Sequence, residues 1–134
     1  MHTAQNVLLT AAMLAAGGDA WAHHSNVAVD MTRRATVQGT VKTLEWTNPH
    51  VWLWLESERG DQKIRTFAFE SSSPSELARF FGWTRRTVAA GDRVTVEYAP
   101  FRNGEPGGTL VNLTLADGRA IPTPMSTRRP AAAR

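Results

Sequence analysis

The chain contains no cysteine. That excludes a disulfide framework, a thiolate nucleophile and a lipid-anchored cysteine at a processed N-terminus. No serine lies in a G-x-S-x-G elbow, and neither a G-x-x-x-x-G-K-[ST] nor a G-x-G-x-x-G loop occurs. Histidine is scarce, with four residues in 134. Carboxylates such as Glu45, Glu56, Glu58 and Glu70 read as solvated strand faces beside basic residues. With no nucleophile–base constellation to build on, the sequence reads as non-enzymatic. Long apolar runs are also missing. The run at residues 7–16 is ten residues long, whereas a membrane-spanning helix needs about 20. No transmembrane segment is expected in the mature chain.

What is present at the N-terminus points to export. The short apolar run is followed by Ala20-Trp21-Ala22, small residues at the −3 and −1 positions of a signal-peptidase cut. Residues 1–22 therefore read as a signal peptide, although the first six residues carry no Lys or Arg. The mature chain would begin at His23 and act in the periplasm, or be secreted. Residues 23–118 hold 11 basic and 11 acidic side chains and suffice for one domain without staples. The net charge of +3 is set by the end of the chain, since residues 119–134 hold Arg119, Arg128, Arg129 and Arg134 and no acid. Residues 119–134 read as a disordered basic Pro/Ala/Arg tail.

Within residues 23–118 the periodicity describes strands. Residues 36–46 alternate with Val37, Gly39 and Val41 in one phase, then Leu44 and Trp46 in the other, which predicts a bulge near Lys42-Thr43. Asn48-Pro49 marks a turn. Val51 to Leu55 is a second strand, apolar on both faces, and Lys63 to Glu70 a third. Ser73-Pro74-Ser75-Glu76 is a capping box with proline at the first helical position. Leu77, Phe80 and Phe81 supply the apolar stripe, and Gly82 the stop. Arg93 to Tyr98 and Thr109 to Leu115 form two more strands about a Gly-rich loop at 102–108. Three strands, a short helix and two strands is the order of an OB-fold-like five-stranded barrel. A half-open sandwich with one helix is the alternative.

Two constellations carry chemistry. A cut after Ala22 would place a free amine and an imidazole on His23, and a second imidazole would complete a three-nitrogen site of the kind copper prefers. His24 or His50 would supply it, with Asp30 as a further oxygen donor. The second constellation is aromatic. With Val51, Leu53 and Leu55 inward, Trp52 and Trp54 face outward, joined by Trp46, with Arg65 on the third strand. The face of strands two and three is where such barrels stack ligands. Export makes nucleic acid an unexpected partner, leaving a small ligand or a periplasmic protein.

The residues Ala22-His23-His24-Ser25, the block Trp46-Thr47-Asn48-Pro49-His50-Val51-Trp52, Gly82-Trp83-Thr84 and Gly91-Asp92-Arg93-Val94 resemble a family of short exported proteobacterial proteins of unknown function. The resemblance runs from about Ala22 to Gly118 and implies a periplasmic OB-like barrel. It implies no activity and no catalytic residues. The basic tail and the uncharged N-terminal stretch depart from the pattern.

Overall fold

The computed structural model describes residues 28–58 and 63–127. The expected signal peptide, His23, His24 and residues 128–134 lie outside them. Seven elements follow in chain order: β1 (Ala35–Glu45), β2 (Trp52–Glu58), β3 (Ile64–Glu70), α1 (Pro74–Phe81), β4 (Arg93–Pro100), β5 (Gly107–Leu115) and β6 (Ala120–Ile121). The sheet order is β3-β2-β1-β4-β5-β6, and a parallel pairing of β3 with β5 closes the first five strands into a barrel. This is the OB-like architecture that the element order implies.

Local chemistry explains the strand paths. The register of β1 against β2 slips between Val41 and Thr43, so Lys42 is the extra residue of a bulge. The bulge lets β1 pair with β4 through its first half and with β2 through its second. Closure falls to the glycines that begin β5. A Cβ on Gly107 would lie 2.0 Å from the Ala68 carbonyl oxygen, and its φ of +127° is one that residues with side chains rarely adopt. Only a bare backbone lets β5 approach β3 this closely.

The barrel interior is filled from alternate positions of the strands. Val51, Leu53 and Leu55 are fully buried beside Phe69, Val94, Val96, Leu110 and Leu113. Each such aliphatic side chain stabilises the fold by about 1.5–3 kcal/mol through lost contact with water. The helix α1 is capped as its sequence implies. Ser73 Oγ accepts from the Glu76 backbone N–H at 3.3 Å, and Gly82 adopts the left-handed conformation with its N–H on the Leu77 carbonyl. Its apolar stripe is narrower than the spacing predicts. Leu77 is buried and Phe81 packs on the core, but Phe80 is 70% exposed beside the Arg79 guanidinium. An eight-residue helix over the barrel has one contact line, and Phe80 lies off it.

Up to Thr127 the expected tail is corrected, while residues 128–134 lie outside the described residues. Composition made 119–134 a disordered tail, yet Ala120–Ile121 forms β6 against β5 and Thr123 is completely buried. Thr123 Oγ1 donates to the Val111 carbonyl, and Met125 packs on a second apolar cluster built from Val29, Ala99, Phe101 and Val111. A polar composition has no bearing on whether a few side chains meet a waiting groove. Among the described residues no helix is long and apolar enough to cross a membrane.

Candidate functional site

Alternation along β2 decides what the barrel shows to the outside. With Leu53 and Leu55 inside, Trp52 and Trp54 project from the opposite face. Their ring centroids are 6.4 Å apart and their planes tilted by 32°. Both rings are half-buried. They floor a cleft of about 570 Å³, a size typical of sites for small ligands. The turn between β1 and β2 forms one wall with Pro49 and His50, and the loop between β4 and β5 forms the other with Phe101, Glu105 and Pro106. Strand β3 adds Thr66, Ala68 and Glu70.

The Trp-Thr-Asn-Pro-His block is thus the wall of this cleft. The Asn48–Pro49 peptide bond is cis, and Thr47 Oγ1 donates to the His50 carbonyl at 3.3 Å. Val51 anchors the end of the turn, since its N–H donates to the Ser72 carbonyl and its carbonyl accepts from the Ser71 N–H, each at 2.9 Å. His50 Nδ1 pairs with Glu70 Oε1. Glu70 lies directly opposite Trp52 in the β2–β3 register and is only 8% exposed. The expectation that it sits on a solvated strand face is therefore corrected. At the other end, Trp54 Nε1 donates to Glu45 Oε2 at 3.0 Å, which orients the indole while leaving its face to the cleft.

Sequence reasoning placed Trp46 and Arg65 on the same face, and the structure separates them from it. Trp46 packs against the interior cluster, because the bulge at Lys42 shifts the phase of β1. Arg65 is exposed on β3, in phase with Phe67 and Phe69 and out of phase with Ala68 and Glu70. Neither lines the cleft. Trp52 is partly covered, since it packs on the cluster that contains Val29 and Phe101.

The expected metal ligands His23 and His24 lie outside the described residues. Among the described residues no three His, Asp or Glu side chains gather closely enough to hold a metal, and His50 already directs Nδ1 to Glu70. Asp30 does not turn toward it. Its carboxylate accepts from the Thr32 hydroxyl at 2.6 Å and from the Thr32 N–H at 3.1 Å, and these bonds hold its pKa below the usual value.

Several cleft residues had no signal in the sequence. Phe101, Glu105 and Pro106 lie about 50 residues from Trp52 along the chain and reach it only because β5 closes on β3. Glu45 was visible as a strand-end acid, but not as the partner of an indole nine residues away.

Residues 11–111 match a family described as a family of unknown function, DUF6152. No curated protein matches the chain. A chain from a crystal structure of TiaS in complex with a transfer RNA and ATP is similar at 18% identity and a TM-score of 0.43, over 62% of this chain and 18% of that one.

Proposed function

We propose that this chain, which belongs to the DUF6152 family of unknown function, is a non-enzymatic binding or accessory module of the periplasm that holds a ligand or partner in the Trp52/Trp54 cleft. The observation that carries the reading is the placement of the two tryptophans. They are half-buried on the floor of an open cleft, where a core role would have put them inside the barrel with Leu53 and Leu55. Two further features support it. The cleft is walled by two loops and floored by strands, so loops can tune specificity over a rigid base. Glu45 and Glu70 each hold a cleft side chain in place, which limits the entropy that a ligand must remove on binding.

Export supplies the location in this reading. Processing after Ala22 would release the barrel with His23 as its first residue. Mass spectrometry of the chain from a periplasmic fraction should give that N-terminus, and an intact Met1 would remove the periplasm from the proposal.

Binding is tested by tryptophan fluorescence against neutral oligosaccharides and capped tripeptides. A ligand that occupies the cleft quenches the emission, and Trp52→Ala abolishes the response while the circular dichroism spectrum stays that of the barrel. If none of these probes alters the emission of the wild-type chain, the cleft is not a binding site for them and the reading fails.

A further inference from the structure

We infer that the cleft selects a cationic ligand, an arginine side chain presented by an extended polypeptide segment, an assignment that rests on the reading of the cleft as a binding site. Three carboxylates line it, Glu45, Glu70 and Glu105, and among the described residues no lysine or arginine does. Among the described residues His50 is the one basic side chain in the lining, and it is already paired with Glu70. The electrostatic potential in the cleft is therefore negative from its charges. It is negative from its rings as well, since the faces of Trp52 and Trp54 carry the negative side of the aromatic quadrupole. Apolar walls from Phe101, Pro49 and Pro106 border the cleft. Glu70 is nearly buried, while Glu45 and Glu105 stand exposed at its rim, where salt screens them.

Each ligand class meets this surface differently. An anion is repelled by Glu45 and Glu105. A neutral ligand strips water from the carboxylates and returns no charge to them, which is unfavourable. A guanidinium uses both features together, because its plane stacks on an indole and its N–H groups reach carboxylates in pairs. The cleft volume of about 570 Å³ exceeds what one such group fills. The proline and phenylalanine walls are suited to the residues flanking it, which is why a polypeptide fits better than a free amine.

The test compares capped Ala-Arg-Ala with the same tripeptide carrying neutral citrulline, with capped Ala-Glu-Ala, with arginine amide and with maltotriose, all against the full chain. The arginine tripeptide should quench tryptophan emission, and its affinity should fall about tenfold as salt rises from about 0.05 to about 0.5 M. Combining Glu45→Gln with Glu105→Gln should weaken it about tenfold by removing charge. Glu45→Gln keeps an oxygen acceptor for the Trp54 N–H, and both side chains are exposed, so an unchanged melting temperature verifies folding. Equal affinity for the citrulline or glutamate tripeptide would overturn the cation assignment. Arginine amide binding as tightly as the tripeptide would overturn the polypeptide part. Quenching by maltotriose alone, lost in Trp52→Ala, would refute the cation assignment and leave the binding site standing. Silence from every probe would remove both.

Discussion

The indole N–H of Trp83 donates to the Pro122 carbonyl at 2.6 Å. Trp83 is fully buried in the main core, and Pro122 follows the last strand. This bond ties the chain beyond Gly118 to the residue that follows the helix cap, so the C-terminal segment belongs to the barrel's structure. Trp83→Phe keeps most of the buried ring and leaves the carbonyl without its donor. It should destabilise the protein by about 1–3 kcal/mol, read as a lower urea midpoint with an unchanged slope.

Thr123 makes the same point with a smaller side chain. It is 0% exposed, and its hydroxyl donates to the Val111 carbonyl. Thr123→Val preserves the shape and removes the donor, and should cost about 1–2 kcal/mol in denaturant unfolding. A wild-type midpoint would show that the Thr123 hydroxyl contributes nothing to stability.

Barrel closure depends on Gly107. A Cβ there would lie 2.0 Å from the Ala68 carbonyl oxygen, 2.8 Å from its carbon and 2.9 Å from its nitrogen, all backbone atoms that cannot move aside alone. Gly107→Ala should part β5 from β3. Hydrogen exchange should then accelerate at the Ala68 amide, which donates to the Pro106 carbonyl at 3.2 Å. Ligand quenching of Trp52 should weaken as well, because the same loop forms a wall of the cleft. Unchanged exchange at Ala68 would contradict this role.

Tyr98 links stability to alkaline pH. Burial beside Phe67 and Phe69 pushes its pKa above the ordinary value of 10.0, with Arg33 opposing by its charge. Above pH 10.0 the unfolded chain loses the phenolic proton while the folded chain keeps it. The unfolded state then binds fewer protons, so stability falls with rising pH. The contribution is whole below pH 10.0 and is lost as pH rises through the folded-state value. In Tyr98→Phe the loss of stability over that window should be shallower than in wild type.

Much of this architecture is local and so legible along the chain. The bulge at Lys42 shows as a switch of apolar phase from Val41 to Leu44. The helix is written in its cap at Ser73 and its stop at Gly82. Alternation along the strand puts Val51, Leu53 and Leu55 on one face and Trp52 and Trp54 on the other, and the burial of the first set sends the tryptophans outward. These features depend on backbone geometry within a few residues, and a sequence states that geometry directly.

Tertiary structure alone decided which distant residues meet. The parallel closure of β3 on β5 brings Glu105 and Phe101 to Trp52, and the β2–β3 register places Glu70 opposite the same ring. The bulge that the sequence shows also packs Trp46 against the core, a consequence that follows only once β1 is seated between two partners. The burial of Thr123 depends on a groove made by other elements. Charge and aromatic content are properties of the sequence, but an acidic cleft is a property of positions. The sequence by itself determined the strand order of an OB-like barrel and that Trp52 and Trp54 share one face of its second strand, opposite Val51, Leu53 and Leu55. The closed barrel decided that carboxylates, and not Arg65, surround the tryptophans, because side-chain phase and strand closure set neighbours that no spacing along the chain records.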